Sequence, residues 1–192
     1  MGYILRKKPF SLRPKFIIKD ENGKDAFIVK TKFFSWGKDI KIFNMNGNEE
    51  ICCIRQEIFR MGTRYTVQTN GGNPIHIKKK ISLFKNIFSI NDDKSEYILD
   101  GDILTKEFIL SRDKEPIAIV TKKFLRYIPA YLVRVKYKKD TLEVLGIIIA
   151  IDIMKSTHRG IVWYRSFKGV KCNASDLLTK TKELRIRGRK NA

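Results

Sequence analysis

The sequence has few of the residues from which metal and redox sites are usually built. It contains only three cysteines and two histidines in 192 residues. The cysteines Cys52, Cys53 and Cys172 are too few for the disulfide framework of a secreted domain. Together with the two histidines, they match no zinc-ligand spacing. We therefore expect no metal, no cofactor and a reducing, cytoplasmic setting.

Long hydrophobic runs and catalytic motifs are also missing. The longest apolar run, Val144 to Ile151, ends at Asp152, far short of the ~18 residues that span a bilayer. The basic residues near the N-terminus are not followed by the apolar stretch of a signal peptide. No GxSxG, P-loop or HExxH motif occurs. The sequence predicts neither a transmembrane segment nor an export signal, and it does not predict an enzyme.

Acidic residues are scarce beside basic ones. The chain has 40 Lys and Arg against 20 Asp and Glu, a formal net charge of +20. Such a surface attracts polyanions. Residues 156–192 hold ten basic and two acidic residues, so the surplus is disproportionate there. We expect a domain over residues 1–155 and a basic C-terminal extension over 156–192, partly disordered or with a short helix near residues 176–184.

What the sequence has in abundance is strand-forming segments arranged around regular turns. Gly23, Gly47 and Gly71 lie 24 residues apart, each in an Asn/Gly context between two segments rich in β-branched and aromatic residues. A fourth hairpin turns at Arg112-Asp113-Lys114. With four further segments, the pattern predicts about twelve short strands, which must close into a barrel or stack as two sheets.

One helix is predicted after the strands. Asp140 and Glu143 have the spacing of a capping box, and the following run to Ile151 is apolar almost all round. A helix of this kind needs burial over its whole circumference. We therefore expect a mainly β fold: a closed, twelve-stranded antiparallel β-barrel around a central apolar C-terminal α-helix.

The sequence resembles the LURP-one-related family, relatives of the tubby C-terminal domain and the phospholipid scramblases. The resemblance covers residues 3 to 155 and rests on the segments Tyr3-Ile4-Leu5, Phe10-Ser11-Leu12, Lys19-Asp20-Glu21-Asn22-Gly23, Lys32-Phe33-Phe34-Ser35, Asp100-Gly101-Asp102 and Leu145 to Asp152. It implies a twelve-stranded barrel around a hydrophobic helix. Tubby-like domains bind phosphoinositides and scramblases act on lipids, but the resemblance carries no catalytic motif, and no calcium-loop pattern precedes the helix.

Basic residues recur where the hairpins end. If the hairpins enter the barrel in the same orientation, these cations gather into a partial ring that favours anionic lipid headgroups. The alternative interpretation is that the lysines only protect strand ends against edge pairing. The candidate anion-binding residues are Lys30, Lys32, Arg55, Lys78, Lys80, Lys122, Lys123 and Arg126.

These observations lead to a functional hypothesis. We expect a non-catalytic, cytoplasmic barrel, peripheral at the membrane, that binds anionic lipid headgroups or a phosphoinositide-like ligand, or that scaffolds a protein partner. Two alternatives stay open: scramblase-like movement of lipid across the bilayer, and nucleic-acid binding through the basic rim and tail. Among single residues, we expect Cys52 or Cys53 to fill the core and Asp152 to form a structural ion pair.

Overall fold

The fold is a closed antiparallel barrel of twelve strands that precede one long helix. The structure is a computed structural model that describes residues 1–7, 16–32, 37–58, 62–80, 87–101, 107–125 and 128–167. The strands are β1 (Gly2–Lys7), β2 (Phe16–Asp20), β3 (Asp25–Thr31), β4 (Asp39–Phe43), β5 (Glu50–Glu57), β6 (Arg64–Thr69), β7 (Ile75–Lys80), β8 (Ile87–Asn91), β9 (Glu96–Gly101), β10 (Glu107–Arg112), β11 (Glu115–Leu125) and β12 (Ile128–Val135). A 3₁₀ turn, Lys138–Asp140, leads into α1 (Thr141–Phe167). The predicted fold class is confirmed.

Each strand pairs with its neighbours in the sequence, and β1 closes the barrel against β12. All these pairings are antiparallel, so odd-numbered strands run in one direction and even-numbered strands in the other. The barrel therefore has two distinct ends. We call the end where odd-numbered strands start, together with the hairpin turns and the start of α1, the turn end. We call the end where odd-numbered strands finish the basic end.

The turns follow the chemistry that the sequence predicts. Gly23, Gly47 and Gly71 have φ values of +77°, +70° and +77°, in the left-handed region that favours glycine. The fourth hairpin places Asp113 and Lys114 at φ values of +52° and +71°, which a two-residue type I′ turn requires of both central positions. This two-residue turn leaves Arg112 paired with Glu115 and matches the right-handed twist of β10 and β11.

The barrel is filled by the first part of α1. Residues 144–154 are all buried, and they pack with the inward-facing side chains of the strands, such as Leu5, Ile54 and Val120, in one hydrophobic core. Gly146 allows the helix to approach the wall closely, because a Cβ at this position would lie 2.5 Å from Val67 Cγ1. The barrel interior therefore provides the burial that the apolar helix requires.

The chain divides into two units, Met1–Met154 and Lys155–Ala192. The first unit holds the barrel and the buried part of the helix. In the second, α1 continues to Phe167, beyond the boundary expected at residue 155. The short helix predicted near residues 176–184 lies outside the described residues. No helix in the described part of the chain is long and apolar enough to cross a membrane.

Candidate anion-binding surface

The two ends of the barrel differ sharply in charge. At the basic end, the described residues include thirteen cations and four acids: Arg6, Lys7, Lys30, Lys32, Lys38, Lys41, Arg55, Arg64, Lys78, Lys79, Lys80, Lys122 and Lys123 against Asp39, Glu57, Asp100 and Glu107. The turn end has nine cations and twelve acids among the described residues, counting Asp140 and Glu143 beside the helix start. The surplus of positive charge on the barrel is therefore concentrated at one end.

The predicted site residues are distributed over four strands that run in the same direction. Lys30 lies on β3 with Lys32 just after it, Arg55 on β5, Lys78 and Lys80 on β7, and Lys122 and Lys123 on β11. All seven therefore lie at the basic end of the barrel. Arg126 lies outside the described residues.

These seven residues do not share one surface. Because side chains alternate along a strand, Lys122 shares the inward face of β11 with buried Val120, whereas Lys123 faces outward. In register with Lys122 lies Tyr131, whose hydroxyl donates a hydrogen bond to Asp152 Oδ1 at 2.8 Å. The buried carboxylate therefore has the hydrogen-bond donor that its position inside the barrel requires.

The ring of cations is interrupted on one side. Between β7 and β11, the charged residues that the structure describes at this end are acidic, Asp100 on β9 and Glu107 on β10. The positive surface therefore extends over the outer face from β3 to β7, with Lys123 beyond the gap.

Most cations on this surface are not neutralised by acids. Lys32 Nζ lies 3.7 Å from Asp39 Oδ2, and Lys30 Nζ lies 4.4 Å from the centre of the Phe43 ring. Within the described residues, the outward cations Arg55, Lys78, Lys80 and Lys123 have no carboxylate within ion-pair distance. Their charge is available to a bound anion.

Several charges at the turn end beside the start of the helix are instead paired. Arg112 on β10 binds Asp140 at 3.0 Å and Glu143 at 3.1 Å, and Tyr97 on β9 donates a hydrogen bond to Glu143 at 3.3 Å. Burial raises the pKa of Glu143 above its ordinary value, although Arg112 acts in the opposite direction. Nearby, Lys136 pairs with Glu115 at 2.8 Å. The contacts of Arg112 and Tyr97 attach the start of the helix to the barrel wall.

A polar groove of about 420 Å³ lies on the outer face of strands β5 to β8, beside the cations of the basic end. Its lining residues are Glu57, Arg64, His76, Ile77, Lys78, Ser89 and Asn91. The predicted set contained only Lys78. Arg64 and His76 are not among the predicted residues, because strand register is needed to bring them together with Lys78.

The two described cysteines behave as predicted from strand alternation. Cys52 faces the core, and burial raises the pKa of its thiol to about 12. Cys53 faces outward and is half-buried; desolvation, then the nearby charge of Asp39, raises its pKa to about 11. Both thiols are protonated near neutral pH, so neither is an activated nucleophile.

Comparison with known proteins places these features in context. The sequence model of the family described as LURP-one-related matches residues 1–152. The chain is similar to the uncharacterized protein YxjI of Bacillus subtilis (strain 168), with 27% identity over 150 residues, which cover 78% of this chain and 91% of that protein. No solved structure matches the chain significantly.

Proposed function

The chain belongs to the LURP-one-related family, and from this premise we propose that its barrel is a non-catalytic module that binds anionic lipid headgroups through its basic end. The observation that carries the proposal is the contrast between thirteen cations and four acids at one end and nine cations and twelve acids at the other, among the described residues. A molecule polarised in this way is oriented by a negatively charged surface, with its basic end toward it.

The magnitude of the attraction is sufficient for peripheral binding. Each Lys or Arg close to an anionic leaflet contributes about 1 kcal/mol, and this contribution falls off within a Debye length of the surface. Exposed cations without acidic partners, such as Arg55, Lys78 and Lys80, can contribute this attraction in full. Several acting together correspond to a reversible, salt-sensitive association at the cytoplasmic face of a membrane.

The chemistry of the described residues supports binding rather than catalysis. The raised pKa values of Cys52 and Cys53 disfavour thiolate chemistry at neutral pH. No group of three or more His, Cys, Asp or Glu residues in the described part of the chain is arranged to hold a metal ion. The relative in Bacillus subtilis is itself named as uncharacterized, so it supports the family and adds no activity.

Co-sedimentation of the full chain with vesicles tests this proposal. One variant removes four basic-end charges: Lys30→Gln, Arg55→Gln, Lys78→Gln and Lys123→Gln. A matched variant removes four exposed turn-end charges: Lys24→Gln, Lys94→Gln, Lys114→Gln and Lys138→Gln. Both variants have the same net charge and keep the basic residues 156–192, so any difference between them reports on the barrel. Vesicles of phosphatidylcholine alone and with phosphatidylserine provide the neutral and anionic surfaces.

We expect the natural chain to sediment with anionic vesicles and not with neutral ones. At about 1 kcal/mol per cation, the basic-end variant should bind at least about tenfold more weakly, whereas the turn-end variant should change little. Equal losses in the two variants would contradict the proposal. Stronger binding to RNA than to anionic vesicles at the same ionic strength would favour nucleic acid instead, and indifference to both would favour a protein scaffold.

A further inference from the structure

The polar groove on the outer wall has a regular geometry. Antiparallel pairing places Glu57, Arg64, Lys78 and Ser89 side by side in one row across β5 to β8. The next row toward the turn end holds Arg55, Thr66, His76 and Asn91. All face outward, because residues between them in sequence, such as Tyr65 and Ile77, are buried. The groove is therefore built on paired strands, which hold its side chains at fixed spacing.

Two like charges face each other at the centre of the first of these two rows. Arg64 and Lys78 are directly opposite in the register of β6 and β7, and like charges in this position destabilise a sheet. The acid that could separate them is engaged elsewhere: Glu57 Oε1 accepts a hydrogen bond from Thr66 at 2.9 Å and lies 3.3 Å from His76 Nδ1. No salt bridge joins Glu57 to Arg64 among the described contacts.

Arg64 also has an unmet hydrogen-bonding requirement. Its Nε is buried and has no hydrogen-bond partner. A buried donor without a partner loses its contacts with water and gains nothing in exchange, and the cost is larger when the group is charged. An anion bound between Arg64 and Lys78 would reduce the repulsion between the two cations. The same anion would give Arg64 Nε a hydrogen-bond acceptor.

We propose that this groove is a binding site for a phosphate monoester. The guanidinium of Arg64 offers planar donors that suit phosphate oxygens, and Lys78 adds a second positive charge. The side chains of Ser89 and Asn91 line the same groove and supply neutral hydrogen-bond donors. Its volume of about 420 Å³ leaves room for the organic group that bears the phosphate.

This inference is distinct from the membrane association proposed above. Membrane association depends on total charge at the basic end, whereas the groove requires particular residues in register and is open to soluble ligands. The phosphate can belong to a soluble metabolite or to a lipid headgroup, and the chemistry at Arg64 and Lys78 is shared by both sources. Separate probes distinguish them.

Calorimetric titration of the full chain with glycerol 3-phosphate tests the site, with inorganic phosphate as a second soluble probe. The variants are Arg64→Gln and Lys78→Gln. The matched control is Arg134→Gln, which removes one outward cation from β12 on a different part of the wall. Unfolding in urea establishes that each variant is folded. Vesicles of phosphatidylcholine with phosphatidic acid present the same phosphate monoester on a lipid.

We expect Arg64→Gln to weaken glycerol 3-phosphate binding by about tenfold or more, since it removes charge-assisted hydrogen bonds. Lys78→Gln should weaken binding by less, and Arg134→Gln by less than about twofold because long-range charge is screened. If Arg64→Gln also reduces binding to phosphatidic acid vesicles more than Arg134→Gln does, the site accepts the lipid source; if only the soluble probes respond, the ligand is soluble.

Two results would overturn the inference. The first is a natural chain that binds neither glycerol 3-phosphate nor inorganic phosphate at millimolar concentration. The second is equal weakening by Arg64→Gln and Arg134→Gln, which would indicate non-specific charge. Either result leaves the membrane proposal untouched when anionic vesicles still bind. Conversely, phosphate binding without vesicle binding would refute the membrane proposal alone.

Discussion

The turn end and the basic end of the barrel use their charged residues differently. At the turn end, Arg112 binds both Asp140 and Glu143, and Lys136 binds Glu115. At the basic end, outward cations such as Lys78 and Lys80 have no acidic partner among the described residues. The turn end therefore uses Arg112 to hold the start of the helix, while the basic end keeps cations that have no acidic partner in the fold.

This difference separates residues that stabilise the fold from residues available for binding. Removing a paired, buried charge leaves its partner uncompensated, whereas removing an exposed, unpaired charge usually changes stability by less than about 0.5 kcal/mol. Substitutions of the paired residues at the turn end should therefore lower stability, whereas substitutions of the unpaired cations at the basic end should weaken ligand binding and change stability little.

The largest effect is expected at Arg112. Replacement by Met leaves the carboxylate of Asp140, which is 2% exposed, without its cationic partner. We expect a loss of roughly 3 kcal/mol in the free energy of unfolding, near the lower limit for buried ion pairs because the Arg112 side chain retains 24% exposure. Urea denaturation followed by circular dichroism measures this loss.

The control for this substitution is Arg134→Met, an exposed cation at the same end for which the structure shows no acidic partner within its described residues. It should change stability by less than about 0.5 kcal/mol. Equal effects of the two substitutions would show that the pairing around Arg112 does not hold the start of the helix.

The second-largest loss of stability is expected at Gly146, where the helix lies close to the barrel wall about one turn after the helix starts. In Gly146→Ala, the added Cβ would lie 2.5 Å from Val67 Cγ1 and 3.3 Å from Cys52 Sγ. Overpacking of this kind costs about 1–3 kcal/mol. A compensating Val67→Ala substitution should restore part of the stability lost in Gly146→Ala. If the double variant is less stable by the full sum of both changes, the contact is not the cause.

The turn end also shows what the sequence could and could not predict. The spacing of Gly23, Gly47 and Gly71 predicted three turns correctly, because a positive φ is a local property of the chain. The spacing of Asp140 and Glu143 placed the start of the helix correctly, but both carboxylates bind Arg112 instead of forming the predicted capping box. A partner on another strand cannot be read from local spacing.

The smallest change in stability is expected at Lys78, at the basic end. Lys78→Gln should raise the free energy of unfolding by about 0.5 kcal/mol, because it removes the like-charge pair with Arg64 while the chain stays folded around the same core. Equilibrium unfolding at low ionic strength measures it, and the gain should shrink at high salt. A loss of stability would indicate that Lys78 has a structural role and would weaken the contrast between the two ends.

The candidate site was only partly predictable for a similar reason. Recurrence of cations at hairpin ends is visible in the sequence, so seven of the predicted residues could be placed at one end by strand direction alone. Strand alternation also explains why Lys122 faces the interior. The opposition of Arg64 and Lys78 depends on the register between β6 and β7, which the turn around Gly71 fixes only once the strands have paired.

The orientation of the barrel on an anionic vesicle decides whether the basic end faces the membrane. A polarity-sensitive fluorophore is attached to a single cysteine at an exposed position, either Ile58→Cys at the basic end or Met45→Cys at the turn end. Both are made in a background of Cys53→Ser and Cys172→Ser, which leaves only buried Cys52. We predict a blue shift on vesicle binding for the label at residue 58 and none at residue 45. A larger shift at residue 45 would show that the turn end, and not the basic end, faces the membrane.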